Sequence, residues 1–153
     1  MSRRLELIAH DIRSAQNVGA LLRMADSVGV AKLWLTGYTP TPEHAGVAKT
    51  ALGAQGSVSW EQRTDVVGLI DELRGQGMRI VGLELDPRAV DLVAYDAPDK
   101  LALLLGNEVD GISPSLREQC DDLIRMEQKG SKESMNVANA ASIASYWILN
   151  HHS

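Results

Sequence analysis

Apolar residues along this chain gather in short runs of strand length, separated by segments in which they recur at every third or fourth position. The runs Leu5–Ala9, Lys32–Thr36, Ser57–Trp60, Met78–Leu83, Leu101–Leu105 and Asp122–Met126 predict six β-strands. Between them, Val18, Leu21, Leu22, Ala25 and Val28 mark a helix over Val18–Val28, and Val66, Leu69, Ile70 and Leu73 mark one over Asp65–Gln76. Glu43–Leu52 reads as a weaker helix and Ser115–Cys120 as one or two turns. Asn136–Asn150 reads as a last helix, carrying Val137, Ala140, Ala141, Ala144, Trp147 and Ile148. Strand-helix alternation of this kind predicts an α/β fold, a parallel six-stranded sheet flanked by helices on both faces. Gly37–Pro42 is the one extended loop, with each proline pushing its predecessor toward extended geometry, and it reads as a surface excursion.

At 153 residues and 44% hydrophobic content, residues 1–153 are expected to form a single domain, a core alone with no added domain. The single Cys120 forms no internal bridge and suits a reducing compartment. Arg3-Arg4 is followed at once by His10, Asp11 and Arg13, without the apolar stretch of a leader, and no run approaches the roughly 20 apolar residues of a membrane span. The expectation is a cytoplasmic protein without membrane or metal, His151-His152-Ser153 being a loose tail. The net charge of −5 lacks the basic surplus common among nucleic-acid binders. Locally, Arg3, Arg4 and Arg13 cluster near the first strand, and Lys129 and Lys132 flank Gly130.

Ligands of open α/β sheets sit beyond the carboxyl ends of the strands, and three loops there carry candidate chemistry. The first opens the helix on which Arg23 lies off the Val18/Leu22/Ala25 stripe, beside Gly19 and Ser27. Those neighbours are too small to cover a guanidinium, although an ordinary solvated arginine gives the same pattern. Asn17, at the helix start, has an amide that either caps the helix or meets a ligand. In the second loop Leu101–Leu105 runs into Gly106-Asn107-Glu108 and turns back at Gly111, so the backbone can approach a ligand closely. Neither the dinucleotide fingerprint nor a P-loop is present. In the third, a polar loop after Met126 ends with Ser134 and Asn136 at the mouth of an alanine-rich helix, whose free N–H groups suit an anion or a serine cap.

Together these segments resemble the SpoU/TrmH branch of the SPOUT superfamily, RNA ribose 2′-O-methyltransferases with a trefoil-knotted carboxyl-terminal half. Asn17, five residues and Arg23 match its first motif; the apolar strand and G-N-E-x-x-G of Leu101–Gly111 match its second. A strand ending in Met126, a glycine-containing loop and Ser134-Met135-Asn136 match its third, and Lys49–Ala54 matches a K-x-x-x-G-A turn. Met135 replaces the usual Leu of S-L-N, a volume-conserving swap, and Arg125 stands where proline is common.

The resemblance implies a deep C-terminal trefoil knot and S-adenosyl-L-methionine bent between the loops after strands four, five and six. Its implied contacts are Leu83, Glu84, Leu105, Gly106, Asn107, Gly111, Ile124, Met126, Met135, Asn136 and Ala140. The implied catalytic set is Arg23, Asn17, Glu108, Ser134 and Asn136. In the family Arg23 would act as the base, yet a guanidinium stays protonated to about pH 12, so a grip on the adjacent phosphate is the alternative role. The partners implied are a transfer or ribosomal RNA and a second copy of the chain, a homodimer with the active site at the interface, for which the Tyr146/Trp147 face of the last helix is a candidate. The negative charge adds a helper protein to that set. A non-catalytic RNA-binding module is one competing reading, disfavoured by the retention of Asn17, Arg23, Glu108, Ser134 and Asn136. A flavodoxin-like nucleotide binder is another, disfavoured by the missing phosphate-loop chemistry.

Overall fold

The computed structural model describes residues 3–130 and 135–151. Its strands are β1 (Arg4–His10), β2 (Lys32–Thr36), β3 (Trp60–Arg63), β4 (Arg79–Leu83), β5 (Val90–Asp91), β6 (Lys100–Leu105) and β7 (Asp122–Arg125). The helices are α1 (Ala15–Val28), α2 (Ala45–Ala51), α3 (Val66–Gly75), α4 (Pro114–Gln119) and α5 (Val137–Asn150). All strand pairs are parallel, in the order β3-β2-β1-β6-β4-β7-β5.

The sheet has one strand more than the sequence pattern predicts. β5 is two residues long, too short for any periodicity, and pairs with Ile124 and Arg125 of β7. The third strand also begins later than Ser57–Trp60. The chain is still turning there, with the Ser57 and Val58 N–H groups donating to Ala54 O, so extended backbone starts only at Trp60.

Why the central strands read as continuous apolar runs follows from the helices on both faces. Alternate residues Leu5, Leu7 and Ala9, with Leu33, Leu35, Leu101, Leu103 and Leu105, join the core under α1, α2 and α5. The intervening Ile8, Trp34, Ile80, Ala102 and Leu104 join a second core under α3 and α4. Glu6 shares that second face and is 4% exposed, a position that costs several kcal/mol for an unpaired carboxylate. Its oxygens accept from Trp34 Nε1 at 2.7 Å and Arg4 Nε at 2.9 Å, which leaves it paired.

Local signals start the helices where they do. Ser14, Asp65, Ser113 and Asn136 each accept a backbone N–H at the N-terminus of α1, α3, α4 and α5, and each such cap contributes about 1 kcal/mol. α1 therefore begins three residues ahead of Val18, and its cap is Ser14 rather than Asn17.

The expected cluster of Arg3, Arg4 and Arg13 does not form. Arg3 donates to Ala97 O, Ile148 O and His151 O, tying down the end of α5; Arg4 pairs with Glu6; Arg13 is exposed. Among the described residues, no helix is long and apolar enough to cross a membrane, and no group of three or more His, Cys, Asp or Glu is arranged to hold a metal.

Candidate functional site

The strand order runs outward from β1 to β3 on one side and through β6, β4 and β7 on the other, so a crevice opens where the two directions part. Two hollows occupy it. One is a cleft of about 320 Å³, walled by Leu83–Leu85 beyond β4, Leu105–Gly111 beyond β6, and Arg125, Met126 and Gln128 beyond β7, with Met135–Val137 and Ala140 at the mouth of α5. The other is an open depression of about 420 Å³ lined by Arg13, Ser14, Asn17 and Glu108. Asn17 and Glu108 belong to both.

The floor of the cleft is shaped by two glycines. A Cβ on Gly106 would lie 2.4 Å from the Gly111 carbonyl carbon and 2.5 Å from Ile112 N; one on Gly111, at φ 68°, would lie 2.3 Å from Glu84 Oε2. Backbone packs on backbone here, closed by Gly111 N–H donating to Asn107 O at 2.9 Å. Glu84 fixes the far side of the same turn, its Oε2 accepting from Ile112 N at 2.6 Å with Arg117 3.7 Å away.

Glu108 organises the boundary between the hollows. Its Oε1 accepts from Arg13 N at 2.8 Å; its Oε2 accepts from Ser14 N at 2.8 Å and from Asn17 Nδ2 at 3.0 Å. Burial pushes this carboxyl's pKa up, but the Arg13 and Ser14 amides and the Asn17 side chain outweigh it, and the net shift is below the ordinary value of 4.5. The carboxylate orients everything linked to it. With its Nδ2 given to Glu108, Asn17 turns Oδ1 toward Asn136 Nδ2, 3.1 Å away, and Asn136 Oδ1 accepts the Ala138 and Asn139 amides that begin α5. A single charge thereby sets two amide orientations and joins the starts of α1 and α5.

Asn17, Glu108 and Asn136 are thus brought together as expected. Of the residues expected around a cofactor, Leu83, Glu84, Leu105, Gly106, Asn107, Gly111, Met126, Met135, Asn136 and Ala140 line the cleft. Ile124 does not: it is fully buried in the α1/α5 core, and only its carbonyl approaches, accepting Glu84 N–H at 3.0 Å. Asn107 lines the cleft, but its side chain is spent within the protein, Nδ2 donating to Asp11 O and Tyr38 OH and Oδ1 accepting from Val109 and Asp110. Ser134 and Lys132 lie outside the described residues.

Arg23 stands apart from the cleft of its own chain. It is exposed on α1, makes no side-chain hydrogen bond or ion pair among the described residues, and lies one turn beyond the crossing of α2. Gly19, expected to leave Arg23 uncovered, is instead buried under α2, where a Cβ would meet Thr50 and Val47 within 3 Å. On α5, Ile143 and Tyr146 are exposed whereas Trp147 is half-buried and stacked on His151.

Arg13, Leu85, Val109, Asp110, Gln128 and Val137 line the hollows without having been singled out as site residues, and Arg125, implied by the resemblance to lie near the purine, lines the cleft too. Arg125 is held in place by Asp91 at 2.9 Å, the pair that also secures β5. Of the residues not singled out, Arg13, Leu85, Val109, Asp110 and Gln128 lie in loops where periodicity carries no information, and Val137 opens α5.

Comparison with known proteins agrees with this geometry. The model of the SpoU rRNA Methylase family matches residues 4–146. The chain belongs to that family. Within the family's wider relations, it is 34% identical over 139 residues to the 23S rRNA (guanosine-2′-O-)-methyltransferase RlmB of Neisseria meningitidis serogroup B, covering 91% of this chain and 55% of that protein. The chain spans about half the length of the curated relatives it matches. Among solved structures, the A. aeolicus TrmH/SpoU tRNA modifying enzyme superposes with a TM-score of 0.83 at 26% identity, over 97% of this chain and 76% of the other. The SpoU methyltransferase AviRb from Streptomyces viridochromogenes, in complex with AdoMet, superposes with a TM-score of 0.89 at 23% identity, over 97% and 60%. The SpoU family member described here therefore has the parallel α/β fold of these enzymes.

Proposed function

We propose that this chain transfers a methyl group from S-adenosyl-L-methionine to a ribose 2′-hydroxyl of transfer or ribosomal RNA. The observation that carries the reading is the pair of hollows sharing Asn17 and Glu108: one deep and glycine-floored, the other open and bordered by Arg13. Two substrates seated in them would meet at that shared wall. Residues 1–153 are read as one methyltransferase unit, with the C-terminal knot that the family resemblance implies, working in the cytoplasm as a homodimer whose active sites lie at the interface. The exposed Ile143 and Tyr146 on α5 suit such a contact. With a net charge of −5, RNA capture by one subunit is weak, and dimerisation or a helper protein supplies the rest.

The cleft fits the cofactor. Its volume is in the range of about 300–1,000 Å³ typical of small-molecule sites. Leu83, Leu105, Met126 and Met135 offer an apolar seat for a purine, and the Gly106/Gly111 contact keeps the floor flat. When bound, the cofactor supplies an electrophilic methyl on a sulfonium sulfur.

The chain's own residues orient the attack. The O2′–methyl bond forms as the methyl–sulfur bond breaks, and the hydroxyl proton leaves to solvent. Glu108 is a poor proton acceptor, because its oxygens are committed to three donors and its pKa is lowered. It holds Asn17 and the Arg13–Ser14 turn in position, and Asn136 completes the wall. Arg23, permanently protonated, unpartnered and apart from its own chain's cleft, acts across the dimer interface on the second copy's site, where it grips the phosphate beside the target ribose and stabilises the forming alkoxide.

Calorimetry with S-adenosyl-L-methionine and tritiated-methyl transfer to total RNA from cells lacking the protein test the proposal together. Binding and 2′-O-methylation are expected, with Arg23→Ala abolishing transfer while cofactor affinity survives. An absence of binding at about millimolar cofactor sinks the proposal; near-normal transfer by Arg23→Ala removes that residue's role.

A further inference from the structure

The Gly37–Pro42 loop, which reads from sequence as a surface excursion, carries a feature the proposed reaction does not use. Tyr38 is 59% exposed, yet both ends of the residue are fastened. Its backbone N–H donates to Asp11 Oδ1 at 3.1 Å, and its hydroxyl accepts from Asn107 Nδ2 at 2.8 Å. The same Asn107 nitrogen donates to Asp11 O at 2.9 Å, so the ring, the turn after β1 and the turn after β6 form one unit. Asp11 adopts the left-handed conformation (φ 53°), which Asp tolerates better than most residues, and this turns its carbonyl and carboxylate toward the loop. Thr39 anchors the next residue beneath, donating to Ala9 O at 2.9 Å and accepting from Ile12 N at 3.0 Å at 2% exposure.

An exposed tyrosine ordinarily swings freely and loses entropy when it binds. This ring is held beforehand, which removes much of that cost. Its anchor, Asn107, lines the cleft and is followed directly by Glu108, the shared wall of the two hollows, so the ring is bonded to the turn that carries that wall. Arg13, on the same turn two residues after Asp11, is exposed and without a side-chain partner among the described residues. A fixed aromatic face fastened to the same turn that carries a free guanidinium matches an unstacked nucleotide, base on ring and phosphate on cation.

We infer that Tyr38 is a stacking platform for an RNA base next to the methylated nucleotide, and so a specificity-determining residue for the substrate. The inference rests on the methyltransferase reading, and the experiment separates the two. Initial rates of tritiated-methyl transfer are measured on hypomethylated total RNA for the wild type, Tyr38→Ala and Tyr38→Phe, with cofactor affinity by calorimetry and oligomer size by light scattering. Tyr38→Ala is expected to raise KM for RNA about tenfold, the loss of one base–aromatic stack, with kcat and cofactor affinity within about twofold of wild type. Tyr38→Phe keeps the ring and is expected to recover most of the RNA affinity.

A wild-type KM in Tyr38→Ala overturns the platform while leaving methyl transfer intact. Equal losses in the Ala and Phe variants assign the effect to the hydroxyl anchor and overturn stacking. A change in oligomer size assigns the ring to a protein contact and overturns it as well. If the wild type itself transfers nothing and binds no cofactor, the underlying reading falls first.

Discussion

Removing the Glu108 carboxylate tests whether one charge organises the site. In Glu108→Ala three donors lose their acceptor: Arg13 N, Ser14 N and Asn17 Nδ2, at 2.8, 2.8 and 3.0 Å. The Arg13 amide is exposed and water replaces its partner, so only the two part-buried bonds count. Hydrogen bonds to charged groups contribute about 1.5–3 kcal/mol each; at the low end the variant loses about 3 kcal/mol. For a domain of this size that is a Tm about 6–12 °C lower. Glu108→Gln behaves differently, because an amide oxygen at the Oε2 position keeps Ser14 and Asn17 and its NH2 faces only the exposed Arg13 N–H. Its expected loss is about 1 kcal/mol.

The pH dependence follows with a definite sign. Because the folded-state pKa of Glu108 is lowered, its stabilisation is fully present above the ordinary 4.5 and is lost as pH falls through the lowered folded value. The gap between wild type and Glu108→Gln should therefore narrow in acid. Urea melts from neutral to acidic pH, with a Glu108→Ala/Asn17→Ala double-mutant cycle, measure all of this; the coupling expected is about 1 kcal/mol. Glu108→Ala melting within about 0.5 kcal/mol of wild type, or a coupling near zero, would refute the reasoning.

Two further outcomes are expected. Gly106→Ala forces the backbone at Gly111 and Ile112 apart from contacts of 2.4–2.6 Å, so a loss of about 2–3 kcal/mol and of cofactor binding is expected from melts and calorimetry; retained affinity would mean the turn yields easily. Cys120 has its thiol pushed up to about 11 by burial and then by Asp121, which leaves about one thiol in a thousand ionised at pH 8. Ellman's reagent should label it roughly a hundredfold more slowly in the folded than in the urea-unfolded chain, and equal rates would contradict its placement against α4.

The fold was legible because a parallel sheet covered on both faces writes itself as apolar runs between helical stripes. What the pattern missed was whatever has no period: the two-residue β5, and the turn through Ser57 and Val58 that delays β3. For the site, Asn17, Glu108 and Asn136 were legible as residue types in the right loops, but not their mutual bonding, which depends on α1 starting at Ser14 and leaving the Asn17 side chain free. Ile124 was misplaced for a similar reason. The family resemblance implies a lining residue there, whereas its position on the strand turns its side chain into the core. Tyr38 carried no signal at all, since its role depends on Asn107, 69 positions away.

The negative net charge, which argues against RNA when taken as a sum, argues differently once the partners are known. Arg63, Arg74, Arg79, Arg88, Arg117 and Arg125 are all matched to carboxylates, as are Arg4 and Lys32. Pairs of this kind present little net field to a distant polyanion. Among the described residues, the basic side chains left without a partner are Arg13, Arg23, Lys49, Lys100 and Lys129. Arg13 and Lys129 leave the carboxyl ends of β1 and β7, where the hollows open. On the same rim Glu108 is turned inward onto N–H donors, so its oxygens are occupied and do not pair with those cations. The chain is acidic in total, but the cations still free to meet a phosphate include those at the site, and that distribution rather than the sum governs where RNA is held.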